Sequence, residues 1–554
     1  MFPSELLTAN AISAALFLFT VFPVLVYYIT TTLFYRKTNS KLLSKIPPTV
    51  PYWVPGLFHG LSVASGPPAY FAKVLKQYGS SAPFVVKAGS ISLVVVRDAK
   101  HAQKILQASA HMTPKALQVR ALDKAMDAPI EALLLYDMIR TGSLEDDHNH
   151  SARLVVPHKY LTGPSLSSIS DVYLATFRRN LSNKMFQFKT WTEIEDMWSF
   201  FHNEISKAVM ETLFGPAVMK QYPRLVRDFW EFDSNFDGFI LGYPQFMMSS
   251  AYTARDRLLG NLWDWLLAAK ESKEGLEFIR TGDGDLAPTD DRDSVFVKFP
   301  YLDGQARAAK ALGNMQELNS NTIPPTLWSI VEALRRPALL KRLTVDISHQ
   351  FDARSETYNM AAVGAMPLVQ SLHAEVGRLR MAARVVRRSE EGDFKLDENW
   401  TIPSNMWAVM FSHDLALNTK LWAKARPRTI EKPLEEFWAE RFLIPEKPNQ
   451  YQRYAKKQET DTVGTGRFSM EGLDALHIPF EGGLKLGTSR YFAEAVQAAT
   501  LAILLTEYEL EFSEPEDVEQ ALPPVREIAY GSIKPLHKIR LRIRKRESPN
   551  TKRS

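Results

Sequence analysis

Five short stretches hold residue types that do chemistry, and each has a plain structural reading beside the chemical one. EDDHNHSAR (145–153) crowds acids with His148 and Arg153. That mixture suits a metal or an anion, and equally a solvated helix start whose acids favour the helix dipole. In NSNT (319–322), Asn321 and Thr322 offer an amide and a hydroxyl to a reacting group; a helical Thr also bonds back to its own turn. AEVGRLR (374–380) sets Glu375 and Arg378 three apart, on one helix face where they can pair. EFWAERFL (436–443) brings Phe437, Arg441 and Phe442 together. HIPFEGGLKLGTSRYFAEAVQAA (477–499) is a glycine-bearing loop with one lysine, Lys485, running into a helix. Glycines there let backbone pass close to a bulky flat ligand.

Composition narrows the chemistry. The 554 residues include no cysteine, so disulfides, iron–sulfur clusters and thiolate nucleophiles or ligands are excluded. A net charge of +5 on a chain of this size argues against nucleic-acid binding as the main business. The 45% hydrophobic and 23% charged residues are those of a globular protein with a substantial core.

The elements that position these stretches follow from pattern. No charged residue lies between Glu5 and Arg36, and a bilayer needs about 20 apolar residues. Residues 1–35 therefore read as an uncleaved membrane anchor. Arg36, Lys37, Lys41 and Lys45 after it favour a cytoplasmic side for the remainder. Within 36–60, Pro47, Pro48, Pro51 and Pro55 prescribe a stiff extended hinge. Residues 61–554 read as one mainly helical domain with a small β part. FVVKAGSISLVVVRD (84–98) predicts a hairpin about Gly89-Ser90. The long helical run from Asn319 carries Pro324 and Pro325, which predict a bend or interruption. GDGDLAPTDDRD (282–293) fails the calcium-loop pattern at Ala287 and reads as a solvated excursion. KIRLRIRKR (538–546) alternates apolar and basic residues and reads as an edge strand guarded by charge.

The order and spacing of Glu375-x-x-Arg378, Phe437-x-x-x-Arg441-Phe442 and the loop after His477 resemble the cytochrome P-450 superfamily. In that family a Glu-x-x-Arg helix, a Phe-x-x-x-Arg-Phe segment and a Phe-x-x-Gly-x-x-x-Cys loop occur in this order. FSHDLALN (411–418) resembles the family's His-Asp segment. NSNTIPPTLW (319–328) resembles the central helix of the clan of sterol 7α-hydroxylases, prostacyclin synthase and many fungal biosynthetic members. FDSNFDGFILGYPQFMMSSAYTARDRLL (232–259) resembles the substrate roof of fungal members.

The resemblance implies an α-rich fold with a small β-subdomain, and Glu375, Arg378 and Arg441 as its structural triad. If haem binds, it implies contacts from Phe480, Lys485, His148 and Arg153. It also exposes departures. Gly487 stands where the family has its axial cysteine, Glu481 replaces a Gly, and Thr488-Ser489 replaces Pro-Gly. His477, Lys485 and Tyr491 flank that position as substitute ligands, out of register. The family's thiolate pushes electron density onto iron and promotes O–O cleavage; a chain without cysteine cannot supply it.

Three functions follow as expectations. The first is an enzyme that isomerises, cyclises or dehydrates an apolar terpenoid, steroid or polyketide intermediate of fungal secondary metabolism without oxygen, with Asn321 and Thr322 as polar groups. The second is a haem-binding oxidoreductase with a ligand other than cysteine. The third is a non-catalytic membrane-anchored binding or scaffold protein. The expected setting is the endoplasmic reticulum membrane, single-pass, with the domain in the cytoplasm. The partners are the membrane and an apolar small molecule. Neither nucleic acid nor, without oxygen activation, a redox partner is called for.

Overall fold

The computed structural model describes residues 20–134, 161–271, 304–389, 391–445, 466–480 and 488–546. The first described helix, α1 (Phe22–Thr38), holds the second half of the expected anchor, while residues 1–19 lie outside the described ones. Among the described residues no helix is long and apolar enough to cross a membrane. The end of α1 instead packs on the domain. Phe34 is buried with its ring 4.9 Å from that of Tyr78, and Tyr27 stacks on Trp53 at 4.4 Å. The proline-bearing connector is extended only about Pro47, Pro48 and Pro51, and turns at Pro55 and Gly56, where the sequence had suggested an extended hinge throughout; nor is it free. Val50 N donates to Val85 O, and Val85 N to Pro48 O, both at 2.8 Å.

That pairing lengthens a five-stranded sheet ordered β1–β2–β6–β5–β3, with β1 (Phe84–Ala88), β2 (Ile91–Val95), β3 (Met112–Thr113), β5 (Arg384–Ser389) and β6 (Trp407–Phe411). The hairpin turns at Gly89, whose φ of +57° suits glycine.

Helices make the rest. Among them are α2 (Gly60–Ser65), α3 (Gly163–Ser182), α4 (Met197–Phe214), α5 (Leu225–Ser234), α6 (Phe236–Leu241), α7 (Ser249–Glu271), α8 (Gly304–Ser320), α9 (Ile323–Leu334), α10 (Pro367–Arg380) and α11 (Thr488–Glu507). The main core joins α3, α4, α9, α10 and α11, with Trp328, Phe177, Phe201 and Leu501 fully buried. In α11 the face Phe492, Val496, Ala499 and Ile503 is buried throughout, one stripe at helical spacing.

A three-stranded sheet at the C-terminus corrects the edge-strand expectation. The strand β8 (Leu541–Lys545) lies between β7 (Tyr508–Phe512) and β4 (Thr192–Ile194), so it is central. Its apolar residues are buried, and its arginines pair across to β7, Arg544 Nε to Glu509 at 2.6 Å and Arg542 Nε to Glu511 at 3.0 Å. The basic face is thus matched by an acidic neighbour rather than offered to a surface.

Candidate active site

The carboxylate of Glu375 is the hub of a buried knot. Arg378, one helical turn on, donates from Nε to Oε2 at 2.7 Å and from Nη2 to Oε1 at 2.8 Å. Arg441 Nε reaches Oε1 at 3.0 Å, and Trp438 N donates to the same oxygen at 2.9 Å. The remaining Arg441 donors end on the backbone carbonyls of Lys432, Pro433 and Glu436 at 3.0, 3.0 and 2.7 Å, and on that of Thr429. The structure therefore brings Glu375, Arg378 and Arg441 together with no exposed side-chain surface. Their polar atoms are spent on one another and on nearby backbone carbonyls, which suits a scaffold role.

A second knot escaped the sequence reading. Glu332, buried on α9, accepts from Arg380 Nε at 2.8 Å and from Arg335 Nη1 at 2.7 Å, with Arg336 also on Oε2. Burial alone would raise its carboxyl, but the three guanidiniums hold it below the ordinary range. The i+3 and i+4 spacing of Arg335 and Arg336 was the signal available.

The central helix is interrupted where its prolines predict. It ends as α8 at Ser320 and resumes as α9 at Ile323, with Pro324 and Pro325 in the first turn. Their missing N–H groups fall where a helix start has no internal acceptor anyway. Thr322 sits in the break, fully buried, and its hydroxyl has no partner among the described residues. The bond back to the preceding turn is made instead by Thr326, to Thr322 O at 2.6 Å. Asn321 is half-buried beside it. Asn319 gives Nδ2 to Met315 O at 2.8 Å and leaves Oδ1 unpartnered. Two oxygens at one helix break are thus without a partner among the described residues.

Of the haem-loop residues, Phe480 is half-buried at the end of an arm that presses on α10. A Cβ on Gly377 would stand 3.1 Å from Pro479 Cγ, so a side chain there would require the arm to give by a few tenths of an ångström. Lys485, Gly487, His148 and Arg153 lie outside the described residues. Of the flanking substitutes, His477 is committed, its Nε2 donating to Ala374 O at 2.8 Å; burial holds its imidazole down at about 4, hence neutral. Tyr491 is 45% exposed on α11. His373 on α10, which the sequence reading passed over, keeps a buried Nε2 without a partner among the described residues. No His, Asp or Glu group among the described residues is arranged to hold a metal. The donor set does not fit a thiolate-bound haem, since the chain has no thiol at all.

The roof carries a polar set that the pattern of the sequence did not reveal. Asp233, in the last turn of α5, accepts from Gln316 Nε2 of α8 at 3.2 Å and from the hydroxyl of Ser320. Asp237, at the start of α6, pairs with Arg384 Nη2 at 2.6 Å, and the Arg384 guanidinium lies 4.4 Å over the Tyr530 ring. Burial pushes the Asp233 carboxyl above the usual range, partly offset by Ser320, Gln316 and the Lys534 charge. The clue was the i, i+4 pair of acids, Asp233 and Asp237.

No family model matches the chain. Curated relatives cover nearly all of it. It is 27% identical to cytochrome P-450 monooxygenase efuG of Hormonema carpetanum, over 96% of this chain and 97% of the relative. It is 27% identical to cytochrome P-450 monooxygenase fsoE of Humicola fuscoatra, over 91% and 88%. Cytochrome P-450 7A1 of Oryctolagus cuniculus is 24% identical over 67% of this chain and 73% of its own length.

Proposed function

The chain belongs to the cytochrome P-450 superfamily, and from that premise we propose that it is a member that has given up oxygen activation. It isomerises, cyclises or dehydrates an apolar terpenoid, steroid or polyketide intermediate of fungal secondary metabolism. The carrying observation is a contrast. The buried Glu375–Arg378–Arg441 knot that sets up the cavity is intact, while no cysteine exists to make the family's oxidant. Such a cavity works by holding one reactive conformer and presenting a few polar groups to it. The uncharged stretch before Arg36 supports an anchor in the endoplasmic reticulum membrane with the domain in the cytoplasm.

The mass of the product tests this reading. Full-length protein is incubated with the apolar extract of a producer strain whose copy of this gene is deleted. Isomerisation or cyclisation leaves the mass unchanged, and dehydration removes one water. A product heavier by one oxygen atom overturns the reading.

The relatives' printed names favour a second reading, a haem-dependent oxidoreductase with a ligand other than cysteine. The visible spectrum of the purified protein separates it: a Soret band belongs to the second reading, its absence to the first.

A further inference from the structure

The roof acid Asp233 has no role in either buried knot, and its surroundings are those of a working group. Five parts of the chain converge on it and on Asp237: the end of α5, the start of α6, the broken end of α8, the start of β5, and the segment 530–534 between β7 and β8. That segment is pinned to the central helix by Trp328 Nε1, which donates to Ile533 O at 2.8 Å, directly before Lys534. Asp233 is half-buried, and both of its donors fall on Oδ1.

Electrostatics favour its neutral form. Lys534 is the cation that acts on it, holding its carboxyl down against the effect of burial, while Arg384 is taken by Asp237. No basic side chain is ion-paired with Asp233 among the described residues, and the carboxyl sits at the negative end of α5, where the helix dipole disfavours an anion. The donors Ser320 and Gln316 act the other way and keep ionisation within reach. A carboxyl poised between the two forms can both give and retake a proton. On either side of Ser320 lie the oxygens of Asn319 and Thr322, without partners among the described residues.

We infer that Asp233 is the catalytic acid and base of this cavity, acting on a substrate with an apolar body and one hydroxyl or double bond, with Ser320 and Gln316 as its positioning residues. The inference rests on the oxygen-independent reading above. In a dehydration, the Asp233 carboxyl gives its proton to the hydroxyl oxygen, the C–O bond breaks and water leaves. The adjacent carbon then loses its proton to the carboxylate, leaving an alkene and the original acid. In a double-bond migration, the proton adds to one alkene carbon and another is removed from the carbon beyond the cation. Neither route needs an oxidant or reductant. Asp237, locked to Arg384, shapes the wall and transfers nothing.

The test uses the full chain in membranes with the deletion-strain extract in deuterated buffer, and compares wild type with Asp233→Asn, Asp233→Glu and Ser320→Ala. The expected result is a loss of about a hundredfold or more in Asp233→Asn with an unchanged melting temperature, and deuterium in the wild-type product where the reaction is a double-bond migration, none where it is a dehydration. Asp233→Glu should retain part of the rate. Should Asp233→Asn fold poorly, Ser320→Ala decides. Losing a donor to the carboxylate raises its pKa against the fixed charges of Lys534 and Asp237, so the high-pH limb of activity moves up. A merely structural contact lowers stability and leaves that limb in place, which would overturn the inference. Wild-type turnover matched by Asp233→Asn overturns it alone. No wild-type turnover without reductase and oxygen overturns the underlying reading, and the inference with it.

Discussion

The guanidinium of Arg378 grips the carboxylate of Glu375 with two hydrogen bonds of 2.7 and 2.8 Å, and neither side chain has exposed surface. Removing one partner leaves a buried charge alone, which costs about 3–5 kcal/mol. Arg378→Ala is therefore expected to give little folded protein, with or without haem in the growth medium. Normal yield and an unchanged melting temperature would show the pair to be dispensable.

The buried histidines set an acid limit on stability. Burial holds His373 at about 3 and His413 at about 4, below the ordinary 6.5. Lowered folded-state values mean that the unfolded chain binds protons first as pH drops. Stability is complete above about pH 6.5 and falls below it, by up to about 1.4 kcal/mol per pH unit for each histidine while the folded state stays neutral. Urea midpoints measured from pH 7.5 to 4.5 should decline below 6.5, and His413→Asn should decline less steeply. Parallel curves for the two proteins would contradict this.

The hydroxyl of Thr322, fully buried, has no partner among the described residues. Such a group costs about 1–3 kcal/mol, so Thr322→Val, similar in shape, is expected to melt at or above the wild-type temperature while turnover falls. A lower melting temperature would mean that the hydroxyl is satisfied by water and serves the scaffold.

Much of this was legible along the chain, and the reason is locality. Glu375 and Arg378 are one turn apart, the α11 stripe repeats at helical spacing, and the break before Pro324 follows from local sterics. Contacts between distant residues were not legible. Arg540, Arg542 and Arg544 read as an edge guard because their partners Glu514, Glu511 and Glu509 arrive from a separate strand. Asp233 meets Ser320 only after α5 has been laid across α8.

The docking of α1 predicts two outcomes for truncation. Removing residues 1–19 leaves the Phe34–Tyr78 and Tyr27–Trp53 contacts in place and is expected to weaken membrane association with little change in melting temperature. Removing residues 1–40 uncovers apolar surface as well and should lower the melting temperature measurably. Full-length protein found entirely in the soluble fraction would refute the anchor, and equal melting temperatures for the two truncations would refute the docking.

The central claim is that a cytochrome P-450 scaffold without cysteine transforms its substrate without activating oxygen. The most direct measurement is turnover of the deletion-strain intermediate by purified full-length protein under argon, with neither NADPH nor reductase, beside the same reaction in air with both. The account predicts equal rates in the two vessels and the same product. Product formed only in air with NADPH and reductase would contradict it.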